Sequence, residues 1–323
     1  MNQLAHDPAA FAEYVAPSWF LELVTGLSVR AQFVVSGNVR DLYPVPGTNR
    51  IDFVPFDTAV GQVMDEMGLE ILLIHDPVDG LRLHPACDPR NAATLAKAGL
   101  VLGEAARTPA ELSALATAVM DQINLPMALI LDYASGAGRH GAETEALFIA
   151  MDKACRAPAK PRPAGLPSAP PRNPVIWLVD KVGDLPDWFV TRNPGVQDLS
   201  VGMPDLNDRI SYARTEILCL SDHAAMPLEQ REGRIEEFSV RCDGMTLNDM
   251  RNVVEIARVE GMGLKGIAEA LRTYRLGTSR NPWTSSVVRS RVRNALPVLE
   301  GRVKGQPRAL ERTHDILMIL GCA

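Results

Sequence analysis

Four short runs along the chain are apolar at nearly every position and are bounded by turn residues: AQFVVSG (31–37), EILLIHDP (70–77), MALILDY (127–133) and PVIWLVD (174–180). A strand with one wetted face alternates apolar and polar residues, whereas a strand covered on both faces need not. The runs therefore predict buried strands of a parallel sheet, with VQDLSVGMPD (196–205) as a fifth, less continuous one. Between them, FDTAVGQVMDEMG, TPAELSALATAVMDQIN and ETEALFIAMDKACR carry their apolar residues at helical spacing. The second of these opens with Thr108 and has Glu111 three residues on, the spacing of a capping box, which marks a helix start. Strand alternating with helix predicts a layered α/β core.

Two segments break this rhythm. RAPAKPRPAGLPSAPPRNP (156–174) is dense in proline, with basic and small residues and no apolar period, and predicts a mobile extended loop before the fourth strand. A proline-rich ligand for an SH3-type domain is the other reading of it. Beyond about residue 222 the strand pattern stops. TLNDMRNVVEIARVEG has Thr246 as a helix cap and sets Leu247, Met250, Val253, Val254 and Ala257 on one face; LKGIAEALRTYRLG follows and ends at Gly277.

Composition narrows the classes. With 323 residues and 46% hydrophobic content the chain can bury a large core. No apolar run approaches the roughly 20 residues of a membrane span, and MNQLAHDPAAFAEYV lacks the basic-then-apolar order of a signal peptide, so a cytoplasmic location is expected. Cys87, Cys155, Cys219, Cys242 and Cys322 are odd in number and widely spaced, which predicts buried free thiols instead of disulfides or a zinc site. His75 and His84 flank the turn in HDPVDGLRLH, and no metal site is expected there. The net charge of −6 hides an asymmetry: residues 1–150 hold 18 acids against 8 bases, and residues 271–312 hold 10 bases against 2 acids.

Two stretches point to a family. NPVIWLVDKVGDLPDWFVTRNPGVQDLSVGMPDLNDRISYAR resembles the AAA+ ATPase passage from the sensor 1 strand through the arginine-finger region to the last strand, ending in a V-x-x-P-D rhythm. CDGMTLNDMRNVVEIARVEGMGLKGIAEALRTYR resembles the helical lid of the same family. The resemblance implies a parallel-sheet, three-layer AAA+-like α/β core followed by a small all-helical lid subdomain. Its parts would be an N-terminal helical segment (1–30), a degenerate α/β subdomain (31–222), the lid (223–280), and a basic linker with the first helix of a possible second module (281–323).

The chemistry of that family needs particular residue types. A phosphate-binding P-loop is G-x-x-x-x-G-K-[S/T], because glycine amides must approach the phosphates, lysine must neutralise them and the hydroxyl must hold Mg²⁺. The sequence contains no such string; after the first strand it reads SGNVRDLYPVPGTNR, which keeps Gly37 and Gly47. The resemblance then leaves Gly37, Asn38 and Arg40 as the residues positioned to meet a nucleotide, with Arg40 as a substitute cation. Asp132 matches the Mg²⁺-positioning acid of the Walker B strand, but Tyr133 replaces the glutamate that would polarise water, and a phenol is no general base at neutral pH. Asp180, followed by Lys181, stands at the sensor 1 position, and Arg192 matches an arginine finger that would reach a neighbouring subunit's nucleotide.

The tail LEGRVKGQPRALERTHDILMILGCA places Val303, Gly305, Gln306 and Ala309 in a V-x-G-Q-x-x-A pattern like the one that leads each nucleotide module of Clp-type tandem proteins, with Gly305 and Gln306 near the adenine. The reading that follows is a catalytically degenerate AAA+ module, without the P-loop lysine or the Walker B glutamate. It would act in assembly or regulation of a nucleotide-driven remodelling ATPase, with ATP or ADP and Mg²⁺ as its only implied cofactors. Its partners would be further copies of itself, an active AAA+ protein or a missing C-terminal half. Two alternatives come from other classes: nucleic-acid binding through the arginine-rich segment 271–312, and an unrelated α/β enzyme using the strand-end acids Asp76 and Asp132.

Overall fold

The computed structural model describes residues 16–47, 50–103, 108–136, 141–163, 169–277 and 286–322. Helix α1 (Ser18–Leu27) leads into β1 (Gln32–Gly37), a hairpin of β2 (Leu42–Pro46) and β3 (Ile51–Pro55), and α2 (Phe56–Glu66). Then come β4 (Ile71–Asp76), β5 (Gly80–Leu83), α3 (Asn91–Lys97), α4 (Pro109–Met120), β6 (Met127–Leu131) and α5 (Gly141–Arg156). Strand β7 (Val175–Val179), α6 (Asp187–Val190) and β8 (Val196–Val201) close the sheet. The rest is helical: α7 (Leu206–Glu216), α8 (Leu228–Arg241), α9 (Leu247–Val259), α10 (Ile267–Leu276), α11 (Ser286–Arg293), α12 (Ala295–Arg302) and α13 (Pro307–Cys322).

The six-stranded sheet has the order β5-β4-β6-β7-β1-β8. All of its pairings are parallel except that of β5, which folds back antiparallel on β4. The apolar runs are continuous because both faces are covered. Phe33, Val35, Leu72, Ile74, Ala128, Ile130, Ile176 and Leu178 pack into one core with α1 and α2. Their neighbours Val34, Leu73, Leu129, Leu131, Val175 and Trp177 pack into a second core with α4 and α5. Alternate residues of each strand thus enter opposite layers, as the two-residue period of a strand requires. Each large side chain so buried contributes about 1.5–3 kcal/mol, which sets the sheet as the rigid part on which strand-end residues are mounted.

Two hairpins are not marked by the apolar pattern. The hairpin of β2 and β3 carries Pro44, Pro46 and Pro55, and proline argues against a central strand; here the pair forms its own two-stranded sheet, where edges tolerate it. The turn in HDPVDGLRLH is the bend of the second hairpin, with His75 opposite Leu81.

The capping box is present: the Thr108 hydroxyl accepts from the Glu111 amide and the Glu111 carboxylate accepts from the Thr108 amide. The described flanks of the proline-rich segment have no regular structure but are tied down. Arg162 donates to Asn173 Oδ1 at 2.7 Å and to the Pro170 and Ile123 carbonyls, and buried Asn173 donates to the carbonyls of Val119, Gln122 and Leu125. The middle of that segment, 164–168, lies outside the described residues.

By contacts the chain forms two compact units, Met1–Tyr212 with Asp243–Asn248, and Ala213–Cys242 with Asp249–Ala323. Tyr212 closes the first unit edge-on against Phe53, with ring centroids 4.9 Å apart. In the second, Ile235, Phe238, Val253, Val254, Ala257, Leu264, Ile267 and Ala270 are buried at helical spacing, and α10 ends at Gly277 in the left-handed conformation. Among the described residues no helix is long and apolar enough to cross a membrane.

The four cysteines whose side chains are described are free but not uniformly buried: Cys242 is buried, Cys87 and Cys155 are partly so, and Cys219 is exposed in a short turn after α7. Burial pushes the Cys155 thiol up to about 11, so it is an inert packing group beside Gln32. The side chain of Cys322 lies outside the described residues.

Candidate functional site

In a parallel sheet the strand C-termini share one edge, and side chains mounted there converge. Four elements meet at that edge here: the turn after β1, and the ends of β4, β6 and β7.

The turn after β1 begins with Gly37 at φ +98°, where a Cβ would stand 2.4 Å from the Val201 carbonyl oxygen, so glycine is required by both backbone and space. The Asn38 amide donates to that same carbonyl at 2.9 Å, and its carboxamide donates to Asp41 Oδ2 at 2.9 Å. The Tyr43 hydroxyl donates to the Asn38 carbonyl. Burial, with the Asp41 charge adding to it, pushes that phenol well above its ordinary range, so it remains a donor.

From this turn the chain runs directly into β2. It enters the β2–β3 hairpin, where Tyr43, Trp19 and Phe56 pack as an aromatic cluster with centroids 5.0–5.4 Å apart. Gly47 sits at the hairpin end and its amide donates to the Arg50 carbonyl. Helix α2 then starts after Pro55 with Asp57 in its first turn, and the Asp57 carboxylate accepts from the Thr58 amide at 2.8 Å. A helix N-terminus is an anion site through its free amides and dipole; at α2 a fixed carboxylate already stands there.

At the end of β6, Asp132 is held by its own backbone, which donates to the His75 carbonyl, and by the Tyr133 amide, which donates to Oδ1 at 2.8 Å. Arg40 completes the arrangement. Its Nη2 lies 2.6 Å from Asp132 Oδ1 and its Nη1 donates to Oδ2 at 2.9 Å, a two-pronged ion pair. The same guanidinium covers the Tyr133 ring with Cζ 4.2 Å from the centroid. Burial works against the Arg40 charge, but the hydrogen bond and charge of Asp132, and then Tyr133 and Asp180, outweigh it and hold the guanidinium above its ordinary value. Tyr133 is at φ +55°, the single non-glycine residue with positive φ among the described residues. Such strain in a tyrosine persists where neighbours over-determine the backbone.

Asp180, exposed at the end of β7, completes this acidic edge; its amide donates to Ser135 Oγ. The Lys181 amide donates to Asp184 Oδ2, which places Lys181 in a local turn. Asp76, at the end of β4, accepts from the amides of Val78 and Asp79, a turn-closing role.

The remaining candidates are elsewhere. Arg192 precedes the N-terminal end of β8 by four residues, at the sheet edge opposite Asp132, and meets Asp187 at 3.9 Å with both side chains largely exposed. Gly305 (φ +80°) and Gln306 lie between α12 and α13 in the second unit, where the Gln306 carbonyl accepts from the Leu310 amide. Arg40, Asn38, Gly37, Asp132 and Asp180 therefore converge, and Arg192 does not join them.

A divalent cation needs several oxygen donors at once. Here both Asp132 oxygens face Arg40, and no group of three or more metal-ligating acids, histidines or cysteines occurs among the described residues. A Mg²⁺-nucleotide bound here would have to draw Asp132 away from Arg40.

Residues 7–202, which span the sheet through β8, match the family described as AAA+ chaperone, N-terminal Rossmann-like domain. The chain belongs to this AAA+ chaperone family. The crystal structure of the FIGL-1 AAA domain in complex with ADP aligns over 88% of this chain and 90% of that chain, at 11% identity and a TM-score of 0.45. No curated protein sequence matches the chain.

Within this AAA+ chaperone domain the residue that sequence reasoning missed is Asp41. Buried at 3% exposure, it accepts from the amides of Leu247 and Asn248 at 2.9 Å each. Its partners lie more than two hundred positions away, and an N-V-R-D string next to a glycine carries no mark of that role.

Proposed function

We propose that this AAA+ chaperone domain is a catalytically silent module, serving assembly or regulation of a nucleotide-driven remodelling ATPase instead of hydrolysing ATP itself. One observation carries the reading: Asp132, the acid that the resemblance matches to the Walker B position, is held by the chain's own Arg40. A triphosphate bound there would have to arrive without the P-loop lysine and would have to draw Arg40 from Asp132 and Tyr133. Tyr133 supplies no base for water.

In this reading the α/β part (31–222) and the lid (223–280) are kept for their surfaces, Arg192 is free to meet a neighbouring protomer, and 281–323 opens a further module. The partner is another copy or an active AAA+ protein. Titration of the full chain with a fluorescent ATP analogue and Mg²⁺ tests it. No saturable signal is expected up to about 1 mM, where even a binding free energy of about −4 kcal/mol would register. Saturable binding that unlabelled ATP displaces, or steady ATP turnover abolished by Asp132→Asn, would overturn it.

A second reading rests on a separate observation. Arg291, Arg293, Arg302, Arg308 and Arg312 form no ion pair with a carboxylate among the described residues, which leaves them available to phosphates. Binding of a single-stranded DNA probe that weakens steeply with salt would favour this reading over the first.

A further inference from the structure

The turn after β1 works at two ends. Toward β6, the Arg40 side chain holds Asp132. Toward α9, the Arg40 carbonyl accepts from the Asn248 carboxamide at 3.0 Å, and the Asp41 carboxylate accepts from the Leu247 and Asn248 amides. Those two amides are the first of α9, and the first amides of any helix have no partner within it. Asp41 serves them as an N-cap would, with a full charge and from a remote part of the sequence. Asn38 fixes the same carboxylate from behind, and is itself fixed by Val201 and Tyr43.

We propose that Asn38–Asp41 is a latch in which the grip of Arg40 on Asp132 sets how firmly Asp41 holds the first turn of α9. Only Val39 to Asp41 separate Asn38 from the hairpin, so the backbone that carries Arg40 toward Asp132 also orients Asp41 and the Arg40 carbonyl. Two anchors brace the turn: the Val201 and Tyr43 contacts at its start and the Asp132 contact at Arg40. Loss of the second frees the end of the turn that carries Asp41. The start of α9 is thereby held with no nucleotide present, which rests on the reading that Arg40 occupies the place of one.

Amide hydrogen exchange on the full chain reads the latch directly, because Leu247 and Asn248 owe their protection to Asp41. Asp41→Asn should raise exchange at these two amides by about tenfold or more, the effect of losing a charge-assisted hydrogen bond. Arg40→Ala, which leaves Asp41 intact, should raise it in the same direction, with Leu129 and Ile130 in β6 keeping wild-type protection as the sign of a folded sheet. Wild-type exchange at Leu247 and Asn248 in Arg40→Ala would overturn the latch. Should either variant lose protection at Leu129 and Ile130 as well, Arg40→Lys, which keeps charge but not the two-pronged geometry, replaces it with the same expected direction. Failure of the silent-module reading appears separately, as saturable nucleotide binding by the wild-type chain.

Discussion

Arg40 meets Asp132 with both terminal nitrogens, at 2.6 and 2.9 Å, and lays the same guanidinium over the Tyr133 ring. A guanidinium that engages both oxygens of a carboxylate forms the stronger and geometrically more specific kind of ion pair. The Arg40 side chain is 44% exposed, so solvent screens the pair and the expected cost of Arg40→Ala is modest, about 1 kcal/mol. Arg40→Lys should recover only part of it, since an ammonium cannot engage both oxygens in a fork. Urea unfolding of Arg40→Ala, Asp132→Asn and the double variant gives the coupling; strictly additive effects would mean that the pair contributes nothing.

Gly37 and Gly99 both have positive φ, but they differ in their surroundings. A Cβ at Gly37 would stand 2.4 Å from the Val201 carbonyl oxygen, a backbone atom that cannot swing away, whereas a Cβ at Gly99 meets nothing within 4 Å. Gly99→Ala should cost about 1 kcal/mol, the backbone preference alone. Gly37→Ala should cost at least about 2 kcal/mol more or prevent folding, through displacement of β8 and of the Asn38 turn. Equal thermal midpoints for the two variants would contradict the tight approach of β1 to β8.

Strands β1, β4, β6 and β7 are legible in the sequence because they are covered on both faces, so that each leaves an uninterrupted apolar run bounded by turn residues, while β8, partly exposed, leaves a broken one. The hairpins are not, since prolines at Pro44, Pro46 and Pro55 obscure a strand that forms no central pairings, and β5 is only Gly80–Leu83. At the site, Asp132 and Asp180 can be read as strand-end acids from their positions. Their relation to Arg40 cannot, because nothing in an R-D-L-Y string says that its first side chain turns back to the end of a strand 92 positions on. The left-handed backbone of Tyr133 is not legible either, since nothing local calls for it in a tyrosine. Long-range caps such as Asp41 on α9 are the kind of contact that local pattern cannot encode.

Asn173 stands under the proline-rich segment as a buried junction. Its carboxamide nitrogen donates to three carbonyls near the end of α4 and its oxygen accepts from the Met127 amide, at the start of β6, and from Arg162. Asn173→Ala leaves those backbone groups without their partner in a site too buried for easy hydration. It should cost about 2–4 kcal/mol, compared with about 1 kcal/mol for Thr108→Ala at the exposed cap of the same helix. Chemical denaturation of both variants checks the ranking, and a larger loss for Thr108→Ala would refute it.

His84 and His75 set a pH dependence whose sign can be worked out. Burial lowers the pKa of both below the ordinary value, against the opposing pull of Asp57 on His84 and of Asp76 on His75. The unfolded chain then binds more protons than the folded one once the pH nears the ordinary histidine value of about 6.5. Their contribution is therefore fully present above that value and is lost as pH falls through it toward the lowered folded value. His84 lies 3.3 Å from the Thr58 hydroxyl and 3.9 Å from Asp57, and Arg82 adds a positive charge that also disfavours its protonation. Urea midpoints measured between about pH 7.5 and pH 5.5 should fall for the wild-type chain. They should fall less for His84→Gln, which keeps a polar partner for Thr58 and cannot titrate. Identical slopes in the two proteins would mean that His84 takes up its proton as readily folded as unfolded, and that its burial carries no electrostatic cost.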